Sequence, residues 1–139
     1  MRTIRRRTAI AGVATLATAA CGGASSAPAE GTVVTGRWNG VHVSLELDAR
    51  GGQVEYDCAH GGLDAPLRVD DEGRFDVAGV HVRERGGPVR DDLPGDSLPA
   101  RYRGLMLGDL LTLRVMAGED TLGPFTLRRD APVQLFKCL

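Results

Sequence analysis

The chain has little of what most enzymes are built from. Its single lysine is Lys137, and no glycine-rich loop with a lysine, no Cys-x-x-Cys and no His-Glu-x-x-His occurs. These absences remove the common phosphate-binding, dithiol and zinc-protease signatures. Beyond residue 31 only Ser44 and Ser97 carry a seryl hydroxyl, and neither stands in Gly-x-Ser-x-Gly. Serine-hydrolase chemistry is therefore unsupported. Long apolar runs are missing too: residues 8–20 are small and apolar, but a bilayer span needs about 20 such residues. No window past that run keeps apolar residues at helical spacing over ten positions, so no helix is expected in the body.

What is present begins at the N-terminus. Arg2, Arg5, Arg6 and Arg7 precede the apolar stretch, and Ala19-Ala20 ends it. This is an export signal with a small-residue cleavage site. Cys21 follows directly, and a cysteine there resembles the acceptor of bacterial lipoproteins. The resemblance implies cleavage before Cys21, acylation of that residue (palmitate included) and attachment to a membrane. The chain departs from the family pattern at Thr18, where leucine is usual; Leu16 lies two residues further back. Gly22 after the cysteine, by analogy with Gram-negative lipoproteins, permits outer-membrane sorting. The alternative is an ordinary secretory signal, with a secreted or periplasmic product and Cys21 as a free thiol.

Removal of residues 1–20 leaves 13 basic against 18 acidic residues, a formal charge of −5. That balance argues against nucleic acid as a partner. Residues 21–31 are glycine, alanine, serine and proline with one glutamate after the cysteine, a flexible tether without a core-forming side chain. Residues 32–139 then form one domain of modest size.

Cysteines number three. With Cys21 acylated, Cys58 and Cys138 remain to form one disulfide in an oxidising compartment. Cys58 shares parity with Val54 and Tyr56, and Cys138 with Phe136, so both are expected to face inward.

Apolar residues alternate with polar ones through most of the body, the signature of half-buried strands. Val41, Val43, Leu45 and Leu47 form one set, Val54, Tyr56 and Cys58 a second, and Leu63, Ala65, Leu67 and Val69 a third. Turns are expected at residues 49–52, 60–62, 71–73, 108–109 and 117–120. After Phe75 and Val77 the parity moves to Val80 and Val82, which predicts a β-bulge at Ala78-Gly79. Residues 86–98, with two prolines and three glycines, read as the longest loop. Strands resume at 100–107, 111–115 and 125–127, with a last short one at 133–138. Eight or nine short strands in a meander bury one apolar face by closing into a small, mostly antiparallel all-β barrel, with a β-sandwich as the alternative.

Thr35-Gly36-Arg37-Trp38-Asn39 resembles the first strand of calycin barrels, the lipocalins and avidins, which carry Gly-x-Trp there. The resemblance implies that an arginine of a late strand, Arg128 or Arg129, lies across Trp38 and closes the barrel. The chain is shorter than lipocalins and lacks the several core tryptophans of avidins. Residues 55–61, residues 73–90 and the closing Lys137-Cys138-Leu139 are also similar to small bacterial lipoproteins. That likeness brings no activity and transfers no functional residue.

Two groups of residues bear on chemistry. His60 and His81, with an acid, would hold zinc or copper, or would supply the base of a small hydrolase. Arg83, Arg85, Arg90, Arg101 and Arg103 flank the long loop. They would bind a small anion at the barrel mouth, or pair with the acids among them as a salt-bridged rim. No catalytic residue and no cofactor is implied. The sequence thus points to a non-enzymatic envelope lipoprotein that binds a small ligand or a partner protein. The alternative is a purely structural or interaction protein whose barrel is filled by its own side chains.

Overall fold

A computed structural model of the chain describes residues 30–84 and 96–138. The export segment, Cys21 and the tether up to residue 29 lie outside these residues, as do Arg85, Arg90 and residues 86–95 of the expected loop.

The described chain forms ten strands: β1 (Thr32–Val33), β2 (Gly36–Gly40), β3 (Val43–Leu47), β4 (Gly52–Tyr56), β5 (Ala59–Leu63), β6 (Arg68–Val69), β7 (Arg74–Arg83), β8 (Ser97–Leu107), β9 (Leu110–Ala117) and β10 (Asp120–Arg129). Eight of them close into an antiparallel barrel in the order β10-β2-β3-β4-β5-β7-β8-β9. Each barrel strand pairs with its sequence neighbour, so the fold is an up-and-down meander in which the last strand returns to the first. Full closure leaves no bare sheet edge. The remaining two strands, β1 and β6, pair with each other as a flap outside the barrel order.

The meander gives the barrel two distinct ends. The flap, the β3–β4 turn and the β8–β9 turn share one. The β2–β3 turn, the β4–β5 turn and the β9–β10 turn share the other. At the flap end the Val34 amide donates to the Leu67 carbonyl at 2.9 Å, and Val34, Leu67 and Val69 all join the core. The third alternating set is therefore divided: Leu63 ends β5 in the wall, while Leu67 and Val69 plug the end.

Inside, the barrel is packed with its own side chains. Trp38, Tyr102, Leu45, Leu67, Leu111, Leu113 and Leu127 are fully buried, and Val43, Val54 and Val115 fill the spaces between them. One contiguous cluster links these residues with Phe75, Val77, Tyr56 and Ala117.

Several expectations are corrected here. β7 carries no bulge: its register runs unbroken against β8 from Arg74↔Leu105 to Val82↔Ser97 and against β5 from Leu63↔Gly79 to Ala59↔Arg83. Its inner row is Phe75, Val77, Gly79 and His81, and Val80 stands outside, 40% exposed. The reason is Tyr102, whose ring occupies the space above two inner-wall glycines. A Cβ on Gly79 would meet the Tyr102 ring at 2.9 Å, and one on Gly61 would strike the Tyr102 hydroxyl. The apolar parity breaks because glycine is what fits there. The irregularity of the barrel lies elsewhere, in β10, where pairing with β9 shifts between Leu122 and Phe125 at Gly123-Pro124. Proline has no amide to give to the ladder.

Residues 60–62 are strand, not turn, because Asp57-Cys58 makes the reversal instead. Val41 is 53% exposed at the β2–β3 turn rather than inward. Residues 133–138 form no strand. They run back along β2 as a strap, bridged once in parallel fashion at Val41↔Gln134.

Candidate functional site

The strap gathers the chain's chemically distinctive groups at the end of the barrel opposite the flap. Cys58 and Cys138 are disulfide-bonded, with Cα atoms 5.1 Å apart. Their pairing is as the sequence suggested, but both residues are exposed rather than inward. β4 ends at Tyr56, so Cys58 leaves the strand's parity in the turn, and the strap brings Cys138 to it across the outer surface.

Asp57 anchors the strap beside the bridge. Its Oδ1 accepts the Phe136 amide at 2.9 Å, its carbonyl accepts the Cys138 amide at 3.2 Å, and its Oδ2 lies 2.5 Å from His42 Nδ1. The Phe136 amide above all, then His42 and Lys137, hold the Asp57 carboxyl below the usual carboxylate range. Lys137 reaches Glu55 at 2.6 Å and Glu84 at 3.3 Å, and His60 Nδ1 lies 2.9 Å from the same Glu84 oxygen. His60, with Lys137 in support, lowers the Glu84 pKa. Under the start of the strap lies Asn39, buried on the outer face of β2. Its Nδ2 donates to the Ala131 carbonyl at 2.7 Å and its Oδ1 accepts Ser44 Oγ at 2.7 Å.

His81 stands on the other face of the wall. His60 pairs with Val82 across the β5–β7 ladder, and His81 pairs with Gly61, so the two imidazoles point to opposite sides. They do not make the metal pair anticipated from the sequence. Among the described residues no three His, Cys, Asp or Glu side chains converge on a cation position. His81 is 3% exposed, and its ring lies 5.3 Å from that of Tyr56, whose other neighbour is Phe125 at 5.7 Å. His81 Nδ1 and the Tyr56 hydroxyl are buried without a hydrogen-bond partner, while Tyr102 donates to the Val80 carbonyl at 2.7 Å. Burial raises both phenols, Tyr102 to about 12.

Burial, and after it the positive charges of Arg83 and His60, lowers the His81 pKa below its ordinary 6.5; Asp120 opposes them weakly. The neutral ring is the folded form, so its contribution to stability is present above 6.5 and is lost as pH falls toward the folded pKa. We expect chemical-denaturation stability to decline from pH 7 to pH 5 in the native chain and to decline less over that window in His81→Leu. Asp57 and Glu84, with lowered pKa values, add their own loss only below their ordinary 3.8 and 4.5. An identical decline in His81→Leu would assign the acid sensitivity elsewhere.

The arginines resolve into ion pairs. Arg101 and Arg103 converge on opposite oxygens of Asp76, at 2.6 and 2.7 Å, and Arg83 pairs with Asp120. Arg83 stands at the loop end of β7, whereas Arg101 and Arg103 meet Asp76 on the outer wall toward the flap end, so the three neither converge on an anion nor form one rim. At the other seam Arg129, not Arg128, lies over Trp38, with the guanidinium carbon 4.3 Å from the ring centroid. Arg129 also donates to the Thr35 carbonyl at 3.0 Å. This is the closure contact that the Gly-x-Trp resemblance implied.

Among the described residues, two clefts on the outer surface stand open to solvent. The larger, about 730 Å³, lies beside the flap between Ala65, Pro66, Arg68, Asp76 and Arg103. The smaller, about 510 Å³, lies at the β3–β4 turn around Asp48 and Arg50. Neither brings a nucleophile to a base. Sequence reasoning missed Asn39, Asp57, Glu84, Tyr102 and Lys137, and read Tyr56 only as an inward strand residue. Only Tyr102 left a trace, in the glycines at inward positions of β5 and β7. Comparison of the chain with known family models, curated proteins and solved structures finds no match.

Proposed function

We propose that this chain is a non-enzymatic lipoprotein of the cell envelope, anchored through Cys21, whose barrel acts by contact with a partner protein rather than by enclosing a ligand. The packed interior carries this reading. Trp38, Tyr102 and the buried leucines occupy the volume in which an eight-stranded barrel would otherwise hold a small molecule. The lack of a nucleophile–base pair among the described residues supports the non-enzymatic part. The topology supports an orientation: Glu30, the first described residue and part of the tether, lies at the flap cleft, so the strap end with Phe136 and Val41 faces away from the anchor.

Mass spectrometry of the protein from its own envelope tests both halves. A denaturing spectrum should show an acylated Cys21 as the first residue, and an unmodified cysteine there removes the anchor. A native spectrum in detergent should show no further mass. A retained non-covalent ligand would overturn the contact reading in favour of an enclosed one.

A further inference from the structure

The eight seams of the barrel are unequal. β7 and β8 pair over nine residues, from Arg74↔Leu105 to Val82↔Ser97. The seam that closes the cylinder, β10 with β2, has two pairs, Arg128↔Asn39 and Arg129↔Trp38. Gly40 also lies close against the Thr126 main chain, and contacts beyond the strands add to the hold. On the flap side the Arg129 guanidinium lies over Trp38, and the Asp130 amide donates to the Arg37 carbonyl at 2.9 Å. On the other side the strap does the work: Ala131 accepts from Asn39, Gln134 accepts the His42 amide at 2.9 Å, and Phe136 and Cys138 donate to Asp57.

Beyond its hydrogen bonds to Asn39, His42 and Asp57, the strap is weakly held. No residue from 131 to 138 is buried, so apolar burial fixes little of it. Its ion pairs are exposed, and such pairs contribute about 0–1 kcal/mol each. The covalent link is the one strong tie, and both of its cysteines are accessible from solvent.

We propose that the Cys58–Cys138 bridge is a redox catch on the β10–β2 seam: its reduction frees the strap and opens that seam while the other seven hold. The reductant is a dithiol, such as a thiol oxidoreductase of the envelope. Its first thiolate attacks the Cys138 sulfur, forms a mixed disulfide and expels Cys58 as a thiolate, which takes a proton. The second thiol of the reductant then displaces Cys138, which leaves as a thiol, and the reductant ends as a disulfide. Two electrons and two protons enter the chain.

Trp38 is the only tryptophan and a member of the seam, so its fluorescence reports the opening. In the oxidised protein it is fully buried, and acrylamide should quench it little. After reduction at 25 °C, and equally in Cys138→Ser, quenching should rise several-fold with the far-ultraviolet β signal unchanged. Amide exchange should quicken in β2 and β10 and stay slow in β7 and β8. Asp57→Ala, which removes one polar anchor and keeps the bridge, should leave Trp38 shielded. The proposal is overturned if Trp38 stays shielded on reduction, if all strands lose protection together, or if Asp57→Ala exposes Trp38 as fully as reduction does.

Discussion

The Cys58→Ala/Cys138→Ala protein is expected to melt about 20–30 °C below the native chain. The bridge joins residues 80 apart. In the chain-entropy account, closing a loop of that length removes denatured-state freedom equivalent to about 4–5 kcal/mol near room temperature. In a domain of this size each kcal/mol moves the midpoint by about 4–8 °C. A small domain commands about 5–15 kcal/mol in all, so the variant should still be folded at 25 °C. The bridge lies on the exterior, so alanine at these positions opens no internal void; the shift given is the unfolded-chain part of the effect, to which opening of the β10–β2 seam adds. Paired thermal melts of the two proteins, in non-reducing buffer, measure it. A shift of only a few degrees would mean that the denatured chain is already compact around this loop.

Trp38→Ala should cost about 3–5 kcal/mol, the range for deleting a large aromatic from a core. The side chain is fully buried, and Leu45 stands directly across the β2–β3 ladder from it. The substitution also strands Arg129, whose cation–π contact adds about 0.5–1 kcal/mol. Trp38→Phe should recover most of the loss, because the ring face that Arg129 covers is kept. Urea unfolding followed by circular dichroism, with an unchanged denaturant slope, is the measurement. A loss below about 1.5 kcal/mol would show that the barrel collapses around the gap and that closure does not depend on this residue.

Much of the cylinder was readable from period-two alternation. Val43, Leu45 and Leu47, Val54 and Tyr56, and Leu111, Leu113 and Val115 all stand inside, where their spacing put them. The turns at 71–73 and 108–109 fall where glycine and acidic residues cluster. The likeness of Gly36-Arg37-Trp38 to a calycin strand pointed at the arginine contact, and Arg129 makes it.

The failures have local causes. A rule that sends polar side chains outward misplaces His81, because a buried neutral imidazole is invisible to it. The same rule prefers Val80 to Gly79 as an inward residue, because it cannot know that Tyr102 has claimed the room. The strap reads as a strand because Val133, Leu135 and Phe136 are apolar, yet it lies on a surface that is already closed. Its attachments to Asp57, Glu55 and Glu84 join positions about 80 and 50 apart in sequence, and no local pattern encodes such distances. The candidate site is therefore the least legible part: its cysteines could be paired by count, but their neighbours could not.

The corner beneath Tyr102 has an evolutionary corollary. A methyl group on Gly61 or Gly79 collides with the phenol and also with main-chain oxygens, those of Val80 and Gly62. Trimming the tyrosine would clear only half of each collision. Descendants of this chain can therefore redecorate the outer wall at will while that inner corner stays frozen, and divergence should pool on the solvent side of β5 and β7.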